Sequence, residues 1–404
     1  MLYALHEMRH ALLAPFNAVA KMHRDLLTNP LNPLAYYQAT RRVAAGFDVF
    51  LRLTSRYEKP EFRLTTTTID GREVAVTERV VVEKPFCRLL HFEREAARND
   101  PTVLLVAPLS GHFSTLLRDT VRALLPAHEV YITDWTDAKM VPISVGPFHL
   151  DDYVDYIREF IRLLGRDVHV ISVCQPTVPV LGAVSLLAAD GEATPRTMVM
   201  MGGPIDPRRS PTAVNNLAVQ KPYSWFERSV IQHVPQKYPG FMRRVYPGFL
   251  QHLGFVAMNP TRHADAHWDY YHHLVEGDGD SAEAHRKFYD EYNAVLDMPA
   301  EYYLDTIKTV FQEHALPQGT WRVRGQLVHP GAITKTALFT IEGEHDDISG
   351  NGQTEAAHAL CTGIPAKRRE HFLVPAVGHY GIFSGRRWRE VIAPRIADFI
   401  RRHG

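Results

Sequence analysis

Residues 167–188 read DVHVISVCQPTVPVLGAVSLLA. The first half, 168–173, is a short apolar, β-branched run suited to a strand buried on both faces. The second half is apolar all round, as a buried helix would be. Cys174 stands at the junction. A strand that runs almost directly into a helix lifts the residue at the turn above the edge of its sheet, where a nucleophile can be presented, usually as G-x-S-x-G. Here the five residues are Ser172, Val173, Cys174, Gln175 and Pro176, so the flanking glycines are replaced and a thiol takes the centre. A cysteine at a strand end is by itself more often a small apolar core residue. The surrounding pattern must therefore decide.

Working outward, the same rhythm repeats. TVLLVAP begins at 102 and is followed by a helix near 113–125, EVYITDW, a helix near 149–164, the quoted segment, and TMVMMGG. Buried strands alternating with helices predict right-handed βαβ units in a mostly parallel sheet with helices on both faces. Residues 205–332 then carry many aromatics and histidines but no buried strand pattern. The β rhythm returns in TKTALFTIEGEHDD and EHFLVPAVGHYG, and WREVIAPRIADFIRR closes the chain as a helix. Upstream, about the first 55 residues read as helical, broken at Asn29-Pro30 and Asn32-Pro33. EFRLTTTTI and REVAVTERVVV then flank an Asp70-Gly71 turn as a hairpin. The predicted organisation is a helical extension over 1–60, a core over 61–204 and 333–404, and a helical lid over 205–332.

The order of reactive residues along this frame is informative. After Cys174, the strand at 339–341 runs into Glu342-Gly343-Glu344-His345-Asp346-Asp347, and His379 follows the last short strand. Nucleophile, then acid, then histidine, each at a strand end, is the order of the α/β-hydrolase fold. The chemistry asks for these residue types. A thiolate is the attacking species, and a free thiol ionises near ~8.5. A neighbouring imidazole and a helix amino terminus stabilise it, while a carboxylate fixes the imidazole tautomer. The oxyanion formed on an ester carbonyl needs two N–H donors. The amide of Gln175 is one, and the loop of Leu109-Ser110-Gly111-His112 supplies the other, for which the amide of Ser110 is favoured.

With ISVCQPTVPVLGA, APLSGHFSTLLRDT, GEHDDISGNGQTEAAHALC and GHYGIFSGRRW in place, the chain resembles the intracellular poly(3-hydroxybutyrate) depolymerases over nearly its whole length. The resemblance implies hydrolysis of polyhydroxyalkanoate esters at polymer granules in the cytoplasm, releasing 3-hydroxybutyrate and oligomers. It implies Cys174 as nucleophile, Asp346 as orienting acid and His379 as base, with Asp347 the alternative acid. Two other readings stand beside it. A polyhydroxyalkanoate synthase uses the same residue set, but its G-x-C-x-G frame differs from S-x-C-Q-P. A granule-coating protein would have lost catalysis.

Composition narrows the rest. Lys plus Arg (45) balances Asp plus Glu (45), which argues against broad binding of nucleic acid. Three cysteines, Cys87, Cys174 and Cys361, suit a reducing compartment. Charges interrupt the first residues, so no targeting or transmembrane segment is expected there. Leu2, Leu5, Met8, Leu12, Phe16, Val19, Met22 and Leu26 instead make an amphipathic stripe, expected to pack on the protein itself. The lid aromatics read mostly as core, with some available to engage an insoluble polyester. His263 and His267, with His272 and His273 nearby, lack the companions of a zinc site. Asp280 and Glu283 read as a capping box, and Asp134, in EVYITDW, reads either as a residue touching the pocket or as a loop or capping aspartate. The glycines of MMGGPI fit no phosphate loop. No metal or organic cofactor is expected, and self-association is left open.

Overall fold

The computed structural model describes residues 2–96, 98–258 and 260–404. Nine strands form one sheet: β1 (Thr66–Ile69), β2 (Arg72–Glu83), β3 (Cys87–Arg94), β4 (Thr102–Val106), β5 (Glu129–Trp135), β6 (His169–Val173), β7 (Thr197–Met201), β8 (Ala337–Gly343) and β9 (Arg369–Val374). Their spatial order is β1-β2-β3-β5-β4-β6-β7-β8-β9. The strands from β5 to β9 run parallel, and β1 to β3 add an antiparallel edge. Every residue of β6, β7 and β8 is buried, because helices cover both faces and leave no solvent side to select polar residues. Together with the sharp strand-to-helix turn after β6, this is an α/β-hydrolase fold.

Two cores sandwich the sheet. α4 (Leu150–Leu164) and α5 (Thr177–Ala189) pack one face through Tyr153, Ile157, Val178 and Leu181. α3 (Arg118–Leu124) and the C-terminal helix Ala393–His403 pack the other through Val121, Leu124, Ile396 and Phe399. Eleven residues of α5 are buried. That accounts for its apolar circumference in the sequence: it is the helix most enclosed by sheet and neighbours.

Between β7 and β8 the chain leaves the sheet and forms α6 (Ala213–Gln220), α7 (Tyr223–Ser229), α8 (Gly248–Met258), α9 (Pro260–Glu276), α10 (Gly279–Asn293) and α11 (Ala300–Thr306). Where the sequence carries no strand pattern, the structure adds a three-stranded ribbon of Gln232–His233, Arg244–Tyr246 and Met298–Pro299, and a hairpin of Arg322–Val323 with Gln326–Leu327. Strands of two or three residues are too short to show alternation, so they leave no period to read. A second correction concerns α10. Its cap is Asp278, whose carboxylate accepts from the Ser281 amide at 3.1 Å, while Glu283 pairs with Arg286. The helix begins at Gly279, two residues earlier than an Asp280 cap requires. The aromatics of this segment divide: Phe226, Tyr270 and Tyr302 are buried, whereas Trp268 is exposed.

At the amino terminus, α1 (Leu2–Thr28) and α2 (Gln38–Thr54) form a helical hairpin. α1 does not pack through its apolar stripe. Leu5, Met8, Leu12, Phe16, Val19 and Met22 are all exposed, Leu12 to 65%. The helix is held by its opposite face instead. Tyr3 is buried and its hydroxyl donates to Asp297 Oδ2 at 2.7 Å, Glu7 pairs with Arg56 and Lys237, and Arg24 pairs with Asp48 at 2.9 Å. The His6 ring stacks on Phe249 of α8 at 4.1 Å. Among the described residues no helix is long and apolar enough to cross a membrane.

The anchor of α1 carries a pH dependence. Burial, reinforced by the nearby Asp137 carboxylate, pushes Asp297 from 3.8 up to about 7. The folded state therefore holds a proton that the unfolded chain releases above its ordinary value. This contribution is present at low pH and lost as pH rises through about 7. The melting temperature of Asp297→Asn relative to wild type should consequently improve as the pH is raised from about 4 to about 7. Thermal unfolding of both proteins across that range checks it.

Candidate active site

Strand β6 ends at Val173, and α5 starts at Thr177. Cys174, between them, has φ +68°, a left-handed conformation that costs a non-glycine residue about 1–3 kcal/mol. The turn is braced from both sides: the Cys174 amide donates to Met201 O at 2.7 Å, and the Thr177 amide donates to Cys174 O at 3.1 Å. The strained turn leaves the thiol half-buried, whereas Cys87 and Cys361 are buried. Burial pushes the Cys361 thiol up to about 12 and the Cys87 thiol well above its ordinary value.

The glycines of MMGG serve this turn. A Cβ on Gly203 would lie 1.9 Å from Thr177 Oγ1 and 2.4 Å from Cys174 O. A Cβ on Gly202, whose φ is +55°, would lie 3.2 Å from Asp346 Oδ2 and 3.3 Å from His379 Cε1. The sequence shows two glycines after a strand, but their purpose, close approach to the neighbouring strand ends, becomes visible only with β7 seated between β6 and β8. Gly203→Ala should lower stability by about 3 kcal/mol, in the range of overpacking, and depress ester hydrolysis with it. Denaturant unfolding and a soluble ester assay test both effects.

The carboxylates after β8 have distinct partners. Glu342 is buried, and its two oxygens accept from the amides of Gly352, Thr354 and Glu355 at 2.8, 2.6 and 3.0 Å. Glu344 accepts from the Ala376 amide at 2.8 Å. Asp346 Oδ1 accepts from the amides of Ile348 and Ser349 at 2.9 and 2.8 Å, leaving Oδ2 at 2.7 Å from His379 Nδ1. Asp347 lines the adjacent cleft instead. The Cys174 sulfur is close enough to act on the His379 imidazole. Burial alone would lower the His379 value, but the Asp346 carboxylate and the Cys174 sulfur outweigh it and hold the imidazole well above the usual histidine range. Cys174, Asp346 and His379 thus come together at the ends of β6, β8 and β9.

Ser110 lies in the loop after β4, the strand paired with β6. The insertion clasps that loop: the Leu296 amide donates to Gly111 O at 2.8 Å, and His112 forms a bridge with Val295. His112 stacks on Phe255 and faces Tyr380, beside His379. Burial and His252 push His112 down to about 4, so it is neutral near pH 7. Gln175 is buried, and its side-chain oxygen accepts from Tyr302 of α11 at 2.5 Å. This link between the insertion and the turn leaves no mark in the sequence. A cleft of about 560 Å³ opens at His379 and Tyr380, walled by Phe255, Phe288 and Tyr292.

A larger cleft, about 1140 Å³, runs along α1 and α8 and contains none of Cys174, Asp346 and His379. Asp134 borders it but is nearly fully buried and occupied by Lys59 (2.5 Å), Arg88 (2.5 Å) and Ser114 (2.6 Å), which gives it a structural task. His263 bonds the hydroxyls of Tyr289 and Tyr292 at 2.9 and 3.2 Å, and His267 packs on the Tyr289 ring. Among the described residues no group of three or more His, Cys, Asp or Glu side chains is arranged to hold a metal ion.

Comparison with known proteins adds a family. The family model described as PHB de-polymerase C-terminus matches residues 202–404. No curated protein matches the sequence. Similar solved structures include a hydrolase from Pseudomonas aeruginosa PA01 (12% identity, 80% of this chain and 98% of that one, TM-score 0.46). They also include a thermophilic esterase from Thermogutta terrifontis (12%, 84% and 98%, TM-score 0.42). A third is 2-hydroxy-6-oxo-6-phenylhexa-2,4-dienoate hydrolase from Rhodococcus sp. strain RHA1 (11%, 81% and 99%, TM-score 0.44).

Proposed function

We propose, for a chain that belongs to the PHB de-polymerase family and is a carboxylic ester hydrolase, that it cleaves poly(3-hydroxybutyrate)-type polyester inside the cell through a covalent intermediate on Cys174. The observation that carries this reading is the grouping of Cys174, on a left-handed strand-to-helix turn, with a His379 imidazole hydrogen-bonded to Asp346.

The Cys174 thiolate adds to an ester carbonyl, and the oxyanion is met by the amides of Gln175 and Ser110. Collapse of the tetrahedral adduct breaks the ester C–O bond. The His379 imidazolium gives its proton to the departing hydroxyl, which leaves a thioester on Cys174. His379, again neutral, takes a proton from water as the water attacks the thioester. The acid product departs and the thiolate–imidazolium pair is restored. Asp346 holds Nδ1 of His379 throughout, so that Nε2 faces the chemistry. Residues 205–332 act as a lid over this site, residues 1–60 as an extension, and 61–204 with 333–404 as the hydrolase core.

Incubation with amorphous poly(3-hydroxybutyrate) granules should release 3-hydroxybutyrate and short oligomers, measured by chromatography. Polymer growth with thiol release from 3-hydroxybutyryl-coenzyme A, without granule hydrolysis, would sink the assignment in favour of a synthase.

A further inference from the structure

We propose that the outward face of α1 is the surface by which this enzyme adsorbs to its solid substrate, with an amorphous aliphatic polyester as the occupant; this rests on the polymer-hydrolase reading above. The helix has 27 residues and is therefore about 40 Å long at 1.5 Å per residue. Leu5, Met8, Leu12, Phe16, Val19 and Met22 project outward along it, each more than half exposed. Between Arg9 and Lys21 no residue of the face carries a formal charge except through a neighbouring His10, and residues 11–20 read ALLAPFNAVA. An apolar face this continuous is unusual on a protein that stays free in water. It is held rigid from behind by Tyr3, Glu7 and Arg24, whose partners are fixed parts of the fold.

The shape of the face selects the occupant. Leu5, Met8, Leu12 and Phe16, together with the exposed alanines at 4, 11 and 18, spread over roughly 160° of the helix circumference at 100° per residue. A two-helix seam uses a narrower stripe, and Pro15, exposed in the middle of the face, would sit inside such a seam. A broad apolar sector instead suits an extended surface, on which a helix lies flat. The polyester offers methyl and methylene groups to such a face.

Two clefts lie on the inner side of the same helix and beyond it. The larger cleft is lined on α1 by Tyr3, Glu7, Arg9 and His10, and on the insertion by His263 and Tyr289. The smaller cleft shares those two residues and ends at His379.

The test uses the full chain in a Cys174→Ala background, which leaves granules intact, with Leu12→Glu/Phe16→Glu/Val19→Glu added. Protein left in solution after pelleting detergent-stabilised amorphous poly(3-hydroxybutyrate) granules reads adsorption. With Cys174 restored, hydrolysis of soluble p-nitrophenyl butyrate reads the site, and size-exclusion chromatography reads self-association. The expected result is adsorption at least ~10-fold weaker, with soluble-ester turnover unchanged and no change in oligomeric state. The milder pair Leu12→Ser/Val19→Ser should lose adsorption in the same direction, which guards against a folding defect in the triple variant. Unchanged adsorption overturns the proposal, as does a wild-type dimer that the substitutions convert to monomer without affecting adsorption, since a second copy would then cover the face. Lost adsorption by the triple variant, with a wild type that binds granules but releases no product, would uphold the surface and overturn the hydrolase reading instead.

Discussion

Cys174→Ala should reduce the release of 3-hydroxybutyrate from amorphous polymer by ~10³-fold or more, the scale of a lost nucleophile, while leaving the fold intact. The second half of that expectation matters as much as the first. Alanine and cysteine share the Cβ that makes φ +68° costly, so the strain of the turn is the same in both proteins. The backbone bonds that brace the turn, to Met201 and Thr177, use no atom of the side chain. A half-buried sulfur is lost, which is a small packing change. Melting temperature should therefore move little while turnover collapses. Retained activity would mean that another group attacks the ester, and neither Cys87 nor Cys361 is placed to do so, since both are buried in the core.

Asp346→Asn should reduce turnover by ~10³–10⁴-fold with little effect on substrate affinity, the scale seen when the carboxylate behind a catalytic imidazole is replaced by an amide. The present geometry gives the reason. Asp346 Oδ1 is held by the amides of Ile348 and Ser349, so it must remain an acceptor, and Oδ2 is 2.7 Å from His379 Nδ1. In asparagine the oxygen keeps the amide contacts and an NH₂ group is turned toward Nδ1. That drives the proton to Nε2, the wrong tautomer for taking a proton from the thiol. The positive imidazole would also lose the carboxylate that raises it. Asp347→Asn is the control, expected to leave kcat little changed. A pH–rate profile for each variant, alongside kcat and KM, separates loss of the base from general damage. Equal losses at both positions would remove Asp346 from the assigned role.

Much of the architecture was legible because the parallel strands are buried on both faces. VHVISV, TMVMM and ALFTIEG are apolar without alternation, and the buried α5 is apolar without a polar face. Such segments read the same in one dimension as in three. The short ribbon strands of the insertion were not legible, since two residues carry no period. The partition of the carboxylates at 342–347 was legible only as a cluster after a strand. Which carboxylate meets His379 was not, since Glu342 is taken up by the 352–355 loop and Glu344 by Ala376 beyond β9, which leaves Asp346 facing the imidazole.

The α1 stripe marks the boundary most clearly. Its period identified a helix with one apolar side, and that much needs no partner. Which side meets the protein is a different question, because an apolar stripe docked on a core and one facing outward have the same spacing. The answer came from Tyr3, Glu7 and Arg24, whose bonds to Asp297, Arg56 and Asp48 orient the helix with the stripe outward. The linear sequence by itself determined the buried strands, the turn bearing Cys174 and the chain order of thiol, carboxylates and histidine, since these follow from local hydrophobicity and position. Tertiary structure alone decided the distances among them, the need for Gly202 and Gly203, and the exposure of α1. Each of those depends on which distant surfaces are brought into contact, and no local pattern encodes that.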